Sequence, residues 1–266
     1  MNIKDFLRKK IPKDTYEFLY KLKNTNFRPF SLASELFPSN QYSDFFIYSD
    51  YCEGISFIAE NANALLYGDV LKVIHLFNFY DSKGKYFHSF KYVTNEYHTE
   101  IKLPKLDLSD SYCSFTHNII PKNKISQKLN LKLQHRGYTI YKNKGQYIGS
   151  LLHGNFGAIE NKYLYRTAAR KRALLFEFTP VYEFDCRNLY HLIFNNPTKK
   201  QLKIKIRKNN SLGESIIENI IPSFGCRAIN VNNYSGSLTF ISNLPVCRAT
   251  IFKNPTKKDN FDVFHS

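Results

Sequence analysis

The chain has 266 residues, of which 43% are hydrophobic and 16% aromatic, and it carries a net charge of +16. This content of core-forming residues excludes a mainly disordered chain, and no apolar run reaches the roughly 18 residues that a membrane-spanning helix needs. The first residues, MNIKDFLRKKIPKD, lack the apolar core of a signal peptide. The five cysteines include no CxxC pair, which indicates reduced thiols and a cytoplasmic location.

Residues 1–30 have the pattern of a short amphipathic helical segment. Asp14, with Glu17 three residues later, is close to a capping box, and the apolar residues that follow share one helical face. Lysines and arginines flank this face, so the segment is suited to an anionic membrane surface. The alternative is a surface helix that docks on its own domain.

Residues 31–119 are predicted to form a first β-sandwich-like domain. The runs VLKVIHLFNFY, YFHSFKYV and YHTEIKLP are rich in β-branched and aromatic residues. The DSKGK stretch between the first two predicts a hairpin turn, because Gly84 tolerates a positive φ. In YHTEIKLP, Thr99 and Ile101 share one face and polar residues share the other, which predicts a strand with one buried side.

Residues 120–172 are predicted to be a connector. It starts with a polar, basic stretch and continues through a hairpin whose turn is KNKG at 142–145. It ends in a His-Gly-Asn-Phe-Gly loop followed by several arginines and a lysine. In the alternative reading, the whole protein is one large β domain in which 120–172 is an inserted crossing segment.

Residues 173–266 are predicted to form a second β-sandwich-like domain. Aromatic and acidic residues alternate over 176–185, which predicts a strand, and QLKIKIRK alternates apolar with basic residues in the same way. The stretch HLFN at 75–78 also resembles HLIFN at 191–195, which favours two related units. The predicted fold is therefore mostly β, with two tandem antiparallel β-sandwich-like domains and a short N-terminal helical segment.

The His-Gly-Asn-Phe-Gly loop is the main candidate site, because its parts suit an anion. Its glycines let main-chain N–H groups approach a ligand, and arginine forks bind carboxylate or phosphate. The spacing matches neither a P-loop nor a Rossmann fingerprint. The alternative is a turn-rich connector with solvated charges. The candidate ligand-binding residues are His153, Gly154, Asn155, Gly157, Arg166, Arg170 and Arg172.

A catalytic role requires a further carboxylate near the same loop. The candidates are His153 as acid–base group and Glu177 or Glu183 as the supporting carboxylate. No metal or cofactor site is predicted: His98 and Glu100 point the same way on one strand, but no metal-binding motif supports them. Three Cys-Arg pairs indicate buried thiols beside exposed guanidinium groups.

The sequence favours a cytoplasmic accessory or binding protein that recognises an anionic ligand, a glycan or phosphate-bearing precursor, at a membrane surface. The charge is unevenly distributed, since no basic residue lies between Arg28 and Lys72 while six acidic residues do. One alternative is an enzyme that acts on an anionic sugar or phosphorylated intermediate. A second is binding of RNA or single-stranded nucleic acid, although no motif of that class is visible.

Overall fold

The computed structural model describes residues 41–61, 72–122, 133–135, 137–143, 146, 148–154, 170–172, 175–197, 201–210, 213–244, 248–255 and 260–266. Within these ranges the chain forms strands, turns and irregular segments, with no helix. The predicted mostly β class is confirmed, whereas the helical segment at 1–30 lies outside the described residues. None of the described segments is a helix that could cross a membrane.

Nineteen strands are described, and most are shorter than ten residues. They are β1 (Gln41–Ser43), β2 (Phe45–Ser49), β3 (Gly54–Glu60), β4 (Val73–Tyr80), β5 (Tyr86–Thr94), β6 (His98–Lys102), β7 (Tyr112–Pro121), β8 (Leu133–His135), β9 (Gly137–Lys142), β10 (Ser150–His153), β11 (Arg170–Arg172), β12 (Leu175–Phe178), β13 (Tyr190–Asn195), β14 (Leu202–Asn210), β15 (Gly213–Ile221), β16 (Cys226–Val231), β17 (Ser237–Ser242), β18 (Thr250–Lys253) and β19 (Asp262–His265).

Four antiparallel sheets contain all but two of these strands. Sheet I has the order β2-β7-β4-β5, sheet II β10-β9-β3-β6, sheet III β16-β13-β18-β19 and sheet IV β11-β12-β17-β14-β15. The remaining strands, β1 and β8, form a parallel pair. Sheets I and II are built before residue 154 and sheets III and IV after residue 169, and β9 and β10 from the predicted connector pair within sheet II.

The alternation seen in the sequence fixes the buried face of several strands. In β14, Leu202, Ile204 and Ile206 are fully buried, while Lys203 and Lys205 are exposed. In β6, Thr99 and Ile101 are buried between exposed polar residues. Both patterns were predicted from the period of two, since successive side chains of a strand point to opposite faces.

The strand predicted over 176–185 is wrong in its extent. β12 ends at Phe178, and the chain is irregular from there to Tyr190 apart from a bridge between Phe184 and Gly236. Pro180 lies just beyond the end of β12, and proline has no N–H to donate to a sheet. Phe184 is nevertheless buried, so the aromatic face continues into the core without a continuous strand.

Two hydrophobic cores hold the sheets together. The first core takes side chains from sheets I, II and III, and the second takes them from sheets III and IV. The first core contains Phe46, Ile47, Tyr48, Ile55, Phe57, Ala59, Phe77, Phe79, Ile101, Leu106, Cys113, Phe115, Tyr141, Leu152, Ile193, Cys226, Phe252, Phe261 and Val263. The second contains Phe184, Tyr190, Leu192, Phe194, Leu202, Ile204, Ile206, Ile221, Ile229, Val231, Tyr234, Leu238, Phe240, Leu244, Ala249 and Ile251.

Sheet III contributes to both cores because its strands are apolar on both faces. In β13, Leu192 and Phe194 belong to the second core, whereas Ile193 between them belongs to the first. In β18, Ile251 and Phe252 divide in the same way. A strand that is buried on both faces has a nearly continuous apolar sequence, and YHLIF in β13 has that character.

The hairpin between β4 and β5 docks on the turn that precedes β16. Gly84 has a φ of 82°, and a Cβ added there would lie 1.9 Å from the carbonyl oxygen of Ser223. The N–H of Cys226 donates to the carbonyl of Ser82 at 3.2 Å. The glycine predicted for a hairpin turn therefore also permits a main-chain contact between sheets I and III.

Candidate functional site

His153 is the last residue of β10, at an edge of sheet II that runs beside β19, an edge of sheet III. Ser150 at the start of β10 links the two strands. Its hydroxyl donates to Oδ1 of Asp262 at 2.8 Å and accepts from the N–H of Val263 at 3.1 Å. These bonds bring the end of β10 close to the C-terminal residues of the chain.

Three side chains that can carry positive charge meet at this edge. We name them the junction cluster: His153, Arg248 and His265. The rings of His153 and His265 have their centroids 4.7 Å apart, and Nη1 of Arg248 lies 3.4 Å from Nε2 of His153. Ring nitrogen Nε2 of His265 is 2.6 Å from the main-chain oxygen of His153. Residues distant in sequence thus form one compact group.

The hydrogen bonds define the proton positions in this cluster. Nδ1 of His153 lies 2.9 Å from the carbonyl oxygen of Gly154, which only accepts, so Nδ1 carries the proton in neutral His153. Nε2 of His153 then accepts from the Arg248 guanidinium. By the same reasoning Nε2 of His265 donates to the carbonyl of His153. Arg248 is held further by its Nε, which donates to a main-chain oxygen of Ser266 at 3.3 Å.

The electrostatics of the cluster disfavour further positive charge. Burial, together with the neighbouring Arg248 and then His153, lowers the pKa of His265 to about 3. Burial also lowers the pKa of Arg248, although a guanidinium stays charged at neutral pH. Arg248 thus places a half-buried cation beside two imidazoles, where water is partly excluded.

Gly154 follows the cluster and allows a close approach of two main chains. A Cβ added at Gly154 would lie 2.7 Å from Cβ of Asp44 and 2.9 Å from the carbonyl oxygen of Phe45. Asp44 is fully buried at the start of sheet I. The glycine is therefore needed for packing between β10 and β2, and its open side is filled by the protein's own chain.

The other predicted ligand-binding residues have different positions. Asn155, Gly157 and Arg166 lie outside the described residues. Arg170 and Arg172 are in β11 of sheet IV, where Arg170 is opposite Glu177 in the register with β12. β11 thus belongs to sheet IV, whereas His153 belongs to sheet II.

The two candidate carboxylates differ in environment. Glu177 is half-buried and accepts a hydrogen bond from Nη2 of Arg207 at 2.7 Å, forming an ion pair. Glu183 is exposed on the irregular segment after β12. The carboxylate of Glu177 is thus engaged with an arginine of β14, and His153 is engaged with Arg248 and His265.

Sequence reasoning missed Arg248 and His265. They lie 95 and 112 residues from His153 along the chain, so no local spacing joins them. Arg248 belongs to a Cys-Arg pair that was assigned a surface role. His265 is part of DVFH in β19. Its neighbours become evident only once β19 is seen to lie beside β10.

The described cysteines differ in environment. Cys226 is buried and Arg227 beside it is exposed, as predicted from strand alternation, whereas Cys186 is exposed in a turn. Burial raises the pKa of the Cys113 and Cys226 thiols, which makes them poor nucleophiles. Among the described residues, no group of three or more acidic, histidine or cysteine side chains could hold a metal ion.

Comparison of the chain with protein-family models, curated proteins and solved structures finds no match. The function is therefore inferred from the residues of the chain itself.

Proposed function

We propose that the protein binds a small anionic ligand, a glycan or phosphate-bearing precursor, at the junction cluster. The observation that carries the proposal is the contact of Arg248 with His153, with His265 packed against His153. Guanidinium and imidazole groups donate hydrogen bonds to carboxylate and phosphate oxygens, and bonds to charged groups are the stronger ones. The overall charge of +16 would assist the encounter with an anion.

Binding at this place is expected to be coupled to proton uptake. In the protein without ligand, burial and Arg248 hold the pKa of His265 at about 3. A bound anion would offset that repulsion and raise the pKa, so the complex would hold a proton that the unliganded protein lacks. By linkage, affinity rises as the pH falls toward the raised pKa.

The proposal includes the arrangement of the sheets and the location of the protein. In two tandem sandwich-like units, sheets I and II would form one unit and sheets III and IV the other. The second core, between sheets III and IV, supports this arrangement, and sheet III also packs on the first unit through the first core. The cluster lies at the edge where sheets II and III meet. A cytoplasmic location is supported by the described cysteines, none of which forms a disulfide. Attachment to a membrane surface would rely on the basic segment 1–30.

The enzyme alternative draws less support from the side chains around the cluster. Glu177, a candidate supporting carboxylate for His153, accepts a hydrogen bond from Arg207 in sheet IV. Nε2 of His153, the atom that would accept a proton, faces a guanidinium. Binding without turnover therefore fits these contacts better than acid–base catalysis.

The test is calorimetric titration of the whole chain with sulfate and with glucuronate, whose charges stay constant between about pH 5 and pH 8. We expect binding that tightens about tenfold over that fall in pH and weakens with added salt. Arg248→Gln should weaken binding about tenfold to a hundredfold. The matched control is Arg227→Gln, because Arg227 is exposed on β16, at the opposite edge of sheet III from β19.

Three results would contradict the proposal. The first is the absence of heat with either anion at millimolar concentration, and the second is equal weakening by Arg248→Gln and Arg227→Gln. The third is retention of mixed-sequence RNA in preference to both anions, which would favour the nucleic-acid alternative.

A further inference from the structure

β5 is an edge strand of sheet I, and its outer edge is exposed. It pairs with β4 on one side, and no strand pairs with its other side among the residues that the structure describes. Six of its nine residues are exposed. They include Tyr86, Phe87, Tyr92 and Val93, with exposed fractions of 37% to 51%. A long, aromatic edge strand offers unpaired main-chain N–H and C=O groups to another strand.

Monomeric proteins usually protect such an edge, and β5 has little protection. Lys91 is its only charged residue and it contains no proline. The register with β4 shifts between Phe79 and Tyr80, which places an irregularity only near the first residues of β5. From His88 to Thr94 the strand is regular in its pairing with β4. This stretch is the part available for a partner strand.

The sequence of β5 is complementary to itself when two copies run antiparallel about Phe90. In that register His88 faces Tyr92 of the copy, and Val93 is opposite Phe87, the residue just before the regular stretch. Aromatic residues opposite β-branched or aromatic residues are favourable cross-strand pairs. Ser89 faces Lys91 of the copy, so neither lysine meets a like charge. Every exposed apolar side chain of the regular stretch then has an apolar or aromatic neighbour.

Charges at the two ends of β5 fit the same arrangement. Lys85 precedes the strand and Glu96 follows it, and both are exposed. In the antiparallel register Lys85 of one copy is opposite Asn95 of the other, and Glu96 is opposite Gly84, so neither charge meets a like charge. The twofold axis repeats this contact at the other end. The arrangement therefore places no pair of like charges face to face.

We propose that the protein forms a symmetric dimer in which β5 of one copy pairs with β5 of the other, joining two copies of sheet I into one eight-stranded sheet. The partner is a second copy of this chain because the complementarity is that of the strand with itself. The charge of +16 on each copy opposes association at long range. Salt screens this repulsion and therefore tightens the dimer. Anion binding at the junction cluster has the opposite dependence on salt.

The test is sedimentation equilibrium on the whole chain, with substitutions at position 89. Ser89→Lys places a lysine opposite Lys91 of the copy twice in each dimer, and it should weaken association on the order of tenfold. Ser89→Glu places a carboxylate there and should strengthen association to a similar degree. The double variant Ser89→Lys with Lys91→Glu restores opposite charges and should restore the dimer.

Asn232→Lys is the matched control, since it adds the same charge at an exposed position after β16 and should have little effect. Thermal melting of each variant verifies its fold. A monomer at about 100 µM protein in physiological salt would overturn the proposal. So would a dimer unaffected by position 89, or one that Asn232→Lys weakens as much as Ser89→Lys. Association that requires an added acidic peptide would assign the edge to a different partner and equally overturn it.

Discussion

Nδ1 of His75 and Nε2 of His117 lie 2.9 Å apart in the protein interior, and both side chains are fully excluded from solvent. Their rings stack with centroids 5.1 Å apart at an angle of 14°. The rings of Phe57 and Phe77 pack against His117. One N–H···N hydrogen bond between the two neutral rings satisfies the contact, and burial disfavours a positive charge on His75.

The pair makes the stability of the fold depend on pH. Burial lowers the pKa of His75 to about 4, from 6.5 when unperturbed. The unfolded chain therefore takes up this proton before the folded chain does. The stability that comes from a neutral His75 is fully present above about pH 6.5 and is lost as the pH falls from there to about 4. The loss amounts to about 3 kcal/mol for this group alone.

Denaturant unfolding of the wild type and of His75→Leu at several pH values measures this effect. We expect the wild type to lose unfolding free energy relative to His75→Leu as the pH falls through this window. His98→Leu is the control, because His98 is exposed on β6. A difference that is constant with pH would show that His75 does not titrate as described.

Asn118 is a buried amide whose removal should stabilise the protein. It lies on β7 with no exposed surface, and within the described part of the chain neither its side-chain oxygen nor its nitrogen has a hydrogen-bond partner. Leucine has the same branched skeleton of side-chain heavy atoms without the polar groups and is more favourable in a central strand. We expect Asn118→Leu to raise the unfolding free energy by about 1 kcal/mol.

Asn195 on β13 provides the matched comparison. It is equally buried, but its Nδ2 donates to the carbonyl of Phe45 at 3.1 Å. Asn195→Leu leaves that carbonyl without this donor and should lower the unfolding free energy by about 1–3 kcal/mol. The opposite signs of the two substitutions are the test. A destabilised Asn118→Leu would indicate an ordered water on the amide.

Gly84 should not tolerate any side chain, because its φ is positive and its open side faces Ser223. Gly84→Ala is expected to cost at least about 2 kcal/mol of unfolding free energy, since a Cβ there collides with main chain that cannot easily move. Gly54→Ala is the control, because a Cβ at Gly54 would contact nothing within 4 Å. Its effect should stay within about 1 kcal/mol. Equal effects would disprove the contact between the hairpin and the turn before β16.

Strand-level features could be predicted from the sequence because they depend on near neighbours. The alternation in β14 and β6 and the turn at Gly84 each involve fewer than about ten residues. The prediction failed at 176–185, where apolar periodicity continued past Pro180 but pairing did not. Periodicity reports which side chains face a core, and it does not report whether the main chain still has a partner strand.

The candidate site could be predicted only in part, for a related reason. His153 was singled out because glycines and arginines follow it in the sequence. Its described neighbour Arg248 comes from the segment just before β18, and His265 comes from β19. Their approach to His153 depends on how sheet II meets sheet III. No spacing in the sequence contains that information. Several of the predicted partners, such as Arg170, belong to another sheet.

Sheet III lies between two cores, so neither half of the chain can be removed without exposing apolar side chains of the other. A fragment starting at residue 173 would uncover Ile193, Phe252 and Val263, which belong to the first core with side chains of sheets I and II. A fragment lacking those residues would leave the first core open on the same side. Proteolysis between the halves should therefore yield two pieces that copurify, and that separate only when denaturant is added.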